Sequence, residues 1–172
     1  MTGRTADDGT WRYRWPAGAR MTAELGDLLP LAGARVADIG CGQGALGRRA
    51  LELGAAAVLF ADGAEGAAAA LAGIDVRARA ERHDWGDPLP DGPWPVILAG
   101  DVLYRDAYVP ALMATIAASL AADGVGLVSD PRRDLVTATA AARSAGLEVG
   151  CERRSSGYSL LRLHLFPRSG AR

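Results

Sequence analysis

A carboxylate and three glycines stand close together in the first third of the chain. Asp38 follows an apolar run and is followed by Gly40, Gly42 and Gly44. Glycine permits the tight turn and the close backbone approach that a nucleotide-like cofactor requires. An open α/β sheet places such a loop at the carboxyl ends of its strands, where ligands bind. The spacing therefore predicts a cofactor loop over residues 38–44.

Two classes of cofactor fit this loop. The run from Gly42 to Gly47 has the glycine spacing of a dinucleotide fingerprint, and Asp62 lies about 20 residues downstream, where a carboxylate binds ribose hydroxyls. A carboxylate at Asp38 would repel a pyrophosphate, whereas it would attract the ammonium of S-adenosylmethionine. Asp62 can accept from both ribose hydroxyls in either case. The charge favours S-adenosylmethionine, and a helix cap is the structural alternative for each carboxylate.

Two further groups of polar and aromatic residues follow later apolar runs. Asp84 and Trp85 come after the third predicted strand, where the adenine should lie, and Asp84 could accept from its exocyclic amine. Asp101 and Tyr104 come after the fourth and share one face if the segment turns helically. Carboxylates and aromatic rings both attract cations. A helix cap for Asp101 and simple packing for the two aromatic residues are the alternatives.

Short apolar runs alternate with alanine-rich stretches, and this alternation favours strand-helix-strand units that would position these groups. The pattern predicts an α/β fold, a Rossmann-like doubly wound sheet of seven strands, mostly parallel, with an antiparallel C-terminal hairpin. The loop after the third strand, rich in Pro and Gly, leaves little room for a crossover helix. Predicted strands cover residues 35–39, 57–61, 76–82, 96–99, 125–129, 147–154 and 158–166, and predicted helices cover residues 45–53, 64–71, 106–121 and 134–145.

Composition limits the class of protein. The chain has 172 residues, of which 49% are hydrophobic, and a formal net charge of -1. We expect a single domain over residues 1–172, with residues 1–10 flexible. Near neutrality argues against a nucleic-acid partner, and no apolar run suits a membrane span or a signal peptide. Two cysteines make neither a disulfide framework nor a metal site, so we expect a cytoplasmic protein without a metal.

Four short segments together resemble a known family, the class I (seven-strand) S-adenosylmethionine-dependent methyltransferases, and within it methyltransferase family 16. They are Trp15-Pro16-Ala17-Gly18, residues 38–44, Trp85-Gly86 and Asp101-Val102-Leu103-Tyr104. The last resembles the DxxY signature of that family. The resemblance extends from Trp15 to about Pro131. Residues 100–104 and 129–132 are most similar to the branch that methylates a lysine of the electron transfer flavoprotein β-subunit.

The resemblance implies an enzyme that transfers a methyl group from S-adenosylmethionine to a protein lysine and leaves S-adenosylhomocysteine. It implies Asp101 and Tyr104 as catalytic residues. The implied cofactor-binding residues are Trp15, Asp38, Gly40, Cys41, Gly42, Gly44, Asp62, Asp84, Trp85 and Asp101. Because methyl transfer from a sulfonium is a direct displacement, it needs no covalent nucleophile, and positioning is most of the catalysis.

The chain departs from that family in two places that shape a protein-binding groove. It is short before Trp11, and the loop between the third and fourth predicted strands is compact. A small amine as the acceptor is therefore one alternative, and a non-catalytic cofactor-binding protein is a second. An NAD-linked oxidoreductase is a third, although no hydride-site residues are visible. Neither His83 nor His164 is assigned a role, since a lone histidine near a strand end is usually structural.

Overall fold

The computed structural model describes residues 9–131 and 135–167, and these form seven strands. The strands are β1 (Arg35–Ile39), β2 (Ala57–Asp62), β3 (Ala78–Arg82), β4 (Trp94–Gly100), β5 (Leu120–Asp130), β6 (Leu147–Arg153) and β7 (Ser159–Leu165). They make one sheet in the order β3-β2-β1-β4-β5-β7-β6. The first five pair in parallel, and β7 pairs antiparallel with β5 and β6. The predicted fold class is confirmed.

Five α-helices in the described residues cover the two faces of the sheet. They are α1 (Pro16–Leu28), α2 (Ala45–Glu52), α3 (Glu65–Leu71), α4 (Val109–Ser119) and α5 (Val136–Ser144). One face packs against α1, α2 and α3, and the other packs against α4 and α5. Side chains alternate along each strand, so in β1 Val36 faces the first layer while Ala37 and Ile39 face the second. Both faces of the sheet are therefore apolar, and each is covered by helices, which makes the fold doubly wound.

Helix α1 is absent from the predicted elements. It begins at Pro16, where proline's fixed φ suits a first turn and its missing N–H leaves no donor unpaired. Ala17, Met21 and Leu25 recur every fourth residue and are fully buried on the sheet side. Gly18 lowers the intrinsic helix propensity of the same stretch, which weakens its helical signal in the sequence. Tertiary burial of one apolar stripe stabilises this helix.

The hairpin of β6 and β7 anchors α1. The hydroxyl of the buried Tyr158 and the Nε of Arg154 each donate to Glu24 Oε2 at 3.1 Å. Hydrogen bonds from Ser156 above all, and also from Arg154 and Tyr158, lower the pKa of Glu24. Glu24 of α1 is therefore ionised, and its carboxylate joins this helix to the C-terminal hairpin.

The connection between β3 and β4 runs over residues 83–93 and contains no helix, as predicted. Trp94 follows this connection as the first residue of β4. The guanidinium of Arg35 lies over its ring, 4.4 Å from the ring centroid. Strand β3 begins at Ala78, later than predicted, because Asp75 Oδ1 accepts from the Arg77 amide at 2.8 Å and forms a turn.

The other bounds differ by a few residues from prediction. Helix α4 ends at Ser119, and β5 starts directly at Leu120, five residues earlier than predicted. The predicted start of the last helix at residue 134 falls outside the described residues, as do residues 1–8 of the predicted flexible segment. No helix in residues 9–131 or 135–167 is long and apolar enough to cross a bilayer. Nor do three or more His, Cys, Asp or Glu residues in these ranges form a group that could hold a metal ion.

Candidate active site

Three predicted carboxylates meet at the carboxyl edge of the parallel strands. Asp38 lies near the end of β1, Asp62 ends β2 and Asp101 directly follows β4. Because β1 pairs with β2 on one side and β4 on the other, Asp38 is the central member of this row. The sheet order therefore brings together residues that are more than 60 positions apart, at the edge where α/β proteins bind ligands.

Two adjoining cavities open at this edge. The larger has a volume of about 540 Å³, and Asp38 and Cys41 line it. The smaller has a volume of about 80 Å³, and Asp62, Trp85 and Tyr104 line it. The residues that line both are Trp11, Trp15, Gly40, Gly42, Gly100 and Asp101. All the residues predicted for the site except Gly44 and Asp84 thus surround one continuous space.

The glycine loop is packed too closely for side chains at two positions. Gly40 has a φ of 61°, and a Cβ there would lie 2.7 Å from Val102 Cγ1. Gly44 has a φ of 74°, and a Cβ there would lie 2.8 Å from Leu71 Cδ2. Both φ values lie in the left-handed region that glycine adopts without strain. Gly44 lets the start of α2 pack closely against Leu71 of α3. It shapes the glycine loop without lining either cavity.

Asp38 is the buried carboxylate of the row, with 1% of its surface exposed. Its Oδ2 accepts a hydrogen bond from the Gly47 amide in the first turn of α2 at 2.9 Å. Burial raises the pKa of Asp38 to about 8, the bond from Gly47 opposes that rise, and the charge of Asp62 adds to it. Asp38 is therefore a helix cap that also lines the larger cavity, and a cation bound there would lower its raised pKa.

Asp62 ties the glycine loop to β2. Its Oδ2 accepts from the Gly42 amide at 2.9 Å, and its Oδ1 accepts from the Ala64 amide at 2.8 Å. Asp62 also lines the smaller cavity. Cys41 lies in the same loop, where burial raises the pKa of its thiol well above the usual range. The thiol is therefore neutral, as a packing role requires.

Asp101 occupies the junction of the two cavities. It is 4% exposed and has a φ of 57°, and its Oδ2 accepts from the Gly18 amide at 2.5 Å. The carboxylate therefore caps α1 through Gly18, which precedes it by 83 residues. The approach is close, since a Cβ on Gly100 would lie 2.9 Å from Gly18 Cα.

Aromatic side chains form one wall of the smaller cavity. Trp85 Cζ2 would lie 3.2 Å from a Cβ on Gly40, and its ring packs edge-on to Tyr108 with centroids 6.4 Å apart. The indole thus lies close to Gly40, which directly follows β1. The segment from Asp101 to Tyr104 is irregular, so a helical turn does not place these two side chains on one face. Tyr104 still lines the same cavity as Asp101 and is 38% exposed.

Asp84 lies outside both cavities. Arg82 Nη2 donates to its two carboxylate oxygens at 3.0 and 2.7 Å. The neighbouring His83, which the sequence left without a role, lines the smaller cavity instead.

A segment of residues 9–15, here named the strap, crosses over the glycine loop. Trp15 Nε1 donates to the Thr10 carbonyl at 3.2 Å, and Gln43 Nε2 donates to the Arg12 carbonyl. The Trp11 carbonyl would lie 3.0 Å from a Cβ on Gly42. Sequence reasoning missed the strap, except for Trp15. Its signal is a run of three aromatic residues, Trp11, Tyr13 and Trp15, within five positions.

The family model described as a methyltransferase domain matches residues 11–166 of this chain. The chain belongs to that family. The predicted enzyme class, an S-adenosylmethionine-dependent methyltransferase, is thereby confirmed, and S-adenosylmethionine is its cofactor. The narrower resemblance to methyltransferase family 16 and its lysine-specific branch stays a prediction. No curated protein matches the chain.

Solved methyltransferases share the fold. A TehB-like S-adenosylmethionine-dependent methyltransferase from Corynebacterium glutamicum is 20% identical, with 88% of this chain and 89% of that one covered and a TM-score of 0.73. A methyltransferase from Mesorhizobium loti is 19% identical, with 84% and 97% covered and a TM-score of 0.71. The O-methyltransferase NcsB1 of neocarzinostatin biosynthesis, solved with S-adenosylmethionine and 2-hydroxy-5-methyl naphthoic acid, is 21% identical, with 87% and 56% covered and a TM-score of 0.69.

Proposed function

We propose that this methyltransferase transfers the methyl group to an amine, and that the amine is a lysine side chain of a protein. The observation that supports this acceptor is the buried carboxylate of Asp101 at the junction of the two cavities. A carboxylate in a low-dielectric site attracts a cation strongly, and an alkylammonium is the cation that becomes an attacking amine.

Aromatic residues at the opening fit the same acceptor. Trp15 and Tyr104 are 41% and 38% exposed, and both line the smaller cavity beside Asp101. Aromatic faces attract ammonium groups and also pack against the methylene stem of a lysine. Tyr104 would orient the amine, and Asp101 would hold it near the donor.

The amine must lose a proton before it can attack. A free lysine has a pKa of about 10.4; an adjacent carboxylate raises it, while an apolar surrounding lowers it. Asp101 is therefore a holder of the cation, and the proton leaves through the exposed opening to water. S-adenosylmethionine supplies an electrophilic methyl group on a sulfonium, which becomes a thioether when the C–S bond breaks and the N–C bond forms. The chain contributes alignment and exclusion of water.

The other carboxylates suit the ends of the cofactor. Asp38 faces the larger cavity, where its carboxylate would bind the α-ammonium. Asp62 lines the smaller cavity, where its carboxylate would bind the ribose hydroxyls. We place the enzyme in the cytoplasm, because the free thiols of Cys41 and Cys151 fit a reducing compartment.

A small-molecule acceptor is the second candidate. The larger cavity, at about 540 Å³, extends past the glycine loop to Ala70 and Leu71. That volume lies within the range of about 300–1,000 Å³ that is typical of small-ligand sites. A small amine or hydroxyl compound would reach Asp101 from this side.

One experiment separates these acceptors. The purified chain is incubated with methyl-labelled cofactor and a cell extract, and label is measured in hydrolysed protein and in the low-mass fraction. Label in methyl-lysine, lost in Asp101→Asn, supports the proposal. Label in small molecules alone overturns the lysine acceptor. Binding of S-adenosylhomocysteine in calorimetry with no transfer of label overturns the proposed methyl transfer and leaves a cofactor-binding protein.

A further inference from the structure

We propose that the acceptor lysine lies in an acidic segment of its protein, and that Arg14 and Arg105 bind the carboxylates beside it. The inference rests on the proposed function and adds the charge of the protein partner to it. It concerns the rim of the opening, here defined as the exposed residues Arg14 and Arg105, and not the binding of the cofactor.

An arginine adjoins each of the two aromatic residues at the opening. Trp15 and Tyr104 line the smaller cavity, and both are partly exposed. Arg14 directly precedes Trp15, Arg105 directly follows Tyr104, and both arginines are exposed. Two segments that are distant in the chain therefore bring the same combination, an aromatic ring and a guanidinium, to one opening.

Tyrosine side chains position the guanidinium of Arg105. It lies 5.9 Å from the centroid of the Tyr104 ring and 5.6 Å from that of the Tyr108 ring. Its Nη1 donates to the Tyr108 hydroxyl at 3.3 Å. A guanidinium carries five N–H donors, so it can keep this bond and still bind a carboxylate. The positive charge is thus held next to the ring that we place against the lysine stem.

Arg14 brings a second positive charge from the strap. It lines the larger cavity, and its guanidinium makes no ion pair within residues 9–131 or 135–167. Other surface arginines, such as Arg49 and Arg77, pair with a carboxylate at 2.9 and 2.7 Å. Asp106 is an exposed acid next to Arg105 and offsets one of the two rim charges. A positive charge therefore remains at the opening, and it attracts anionic groups of a ligand.

Charge is separated along the path into the site. The carboxylates of Asp38, Asp62 and Asp101 line the cavities at the strand ends, whereas the arginines lie on exposed segments. A lysine ammonium is attracted by the carboxylates inside but repelled by the rim. Acidic residues beside the lysine would bind the rim and cancel this repulsion, while basic neighbours would add to it. The segment that fits both parts is a lysine flanked by carboxylates.

Peptides with a single central lysine test the proposal. A library randomised at about three positions on each side is incubated with methyl-labelled cofactor, and the methylated members are sequenced by mass spectrometry. We expect Asp and Glu to be enriched beside the lysine. One enriched peptide is then compared with a version in which its acids are replaced by amides. The wild type should have a kcat/KM at least about fivefold higher for the acidic peptide, mainly through KM, which is the scale of two exposed ion pairs.

Charge reversals locate the preference on the chain. Arg14→Glu and Arg105→Glu should each lower the ratio of the two kcat/KM values at least about twofold. The matched control is Arg143→Glu, which makes the same change of charge at an exposed position in the last turn of α5, outside both cavities. It should keep the wild-type ratio. Thermal unfolding and calorimetry with S-adenosylhomocysteine should show that all three variants are folded and bind the cofactor product as the wild type does.

Several results would overturn the proposal. They are labelled peptides without acidic enrichment, a wild-type ratio in both Arg14→Glu and Arg105→Glu, or an equal loss in Arg143→Glu. Weaker binding of S-adenosylhomocysteine by Arg14→Glu would assign that residue to the cofactor and contradict its role at the rim. If a reversal unfolds the chain, Arg14→Gln or Arg105→Gln takes its place, and a wild-type ratio there overturns the proposal. Failure to label any lysine peptide, with S-adenosylhomocysteine still bound, would instead contradict the lysine acceptor of the proposed function.

Discussion

The backbone amide of Gly18 donates a hydrogen bond of 2.5 Å to the carboxylate of Asp101. The two residues join the N-terminus of α1 to the end of β4. The first amides of a helix lack partners within the helix and lie at the positive end of its dipole, so they stabilise a carboxylate. The φ of 57° at Asp101 lies in the left-handed region, which aspartate and asparagine tolerate better than most other residues with a side chain. The bond to α1 therefore holds the carboxylate where the two cavities meet.

Substitutions at Asp101 separate its charge from its structural role. Asp101→Asn keeps an oxygen that can accept from Gly18, and asparagine tolerates the left-handed region, so the free energy of unfolding should fall by less than about 1 kcal/mol. Asp101→Ala loses the bond and should cost about 2–3 kcal/mol. Methyl transfer to an amine should fall at least about tenfold in both, or about 1.4 kcal/mol, because both remove the charge. Urea unfolding and initial rates measure these effects, and a normal rate for Asp101→Asn would contradict the role of the charge.

Gly100 is expected to be intolerant of any side chain. A Cβ there would lie 2.9 Å from Gly18 Cα and 3.3 Å from Leu46 Cδ1, so Gly100→Ala should push α1 outward. We expect a loss of about 1–3 kcal/mol in the free energy of unfolding, and weaker binding of S-adenosylhomocysteine. The control is Gly150→Ala in β6, where the nearest atom to the new Cβ would be 3.9 Å away. If the two variants are equally stable in urea, a side chain at Gly100 does not disturb the packing of α1 against the end of β4.

Asp38 should make the stability of the protein depend on pH. Folding raises its pKa from 3.8 to about 8, chiefly through burial. The stabilisation is fully present below about pH 4, where the folded and unfolded states both hold the proton, and it is lost as the pH rises toward about 8. Asp38→Asn removes this titration and keeps an oxygen that can accept from the Gly47 amide.

The stability of Asp38→Asn relative to wild type should therefore increase between about pH 5 and about pH 8. Urea unfolding of both chains at several pH values in this window measures the difference. A difference that is constant over the window would mean that Asp38 has no raised pKa in the folded chain.

The strap should control release of the cofactor product. The smaller cavity, at about 80 Å³, is well below the roughly 300 Å³ at which typical ligand sites begin, and Trp11 and Trp15 form part of its lining. Because the strap covers a cavity this small, it should have to open before a bound nucleoside can leave. Gln43→Ala removes the donor to the Arg12 carbonyl and should speed release of S-adenosylhomocysteine about three- to tenfold in stopped-flow fluorescence.

The control for this prediction is Arg49→Ala. Arg49 lies on α2 and makes an exposed ion pair with Glu52 at 2.9 Å, which contributes little to stability. Its release rate should equal that of the wild type. If Gln43→Ala and Arg49→Ala release the product equally fast, the strap does not limit release.

Local sequence patterns were enough to predict the sheet and the cofactor loop. Apolar runs of five to seven residues specify strands, and the glycines after Asp38 specify a tight turn, because both depend on residues adjacent in the chain. The charge of Asp38 favours S-adenosylmethionine over a dinucleotide, whereas the position of Asp62 after the second strand suits both. The same local reasoning missed α1, whose stripe of Ala17, Met21 and Leu25 is helical mainly through burial on the sheet.

What the sequence by itself determined was therefore the strands, the glycine loop and the kind of cofactor. Only the tertiary structure decided that Gly18 holds Asp101, that the strap crosses the loop, and that His83 lines the cavity that Asp84 does not. These relationships join segments from different elements, or depend on which way a side chain turns at a strand end. They are settled only once the strands have paired in order and the helices have packed on them, since the contact energies that choose between such arrangements do not exist in the separate segments.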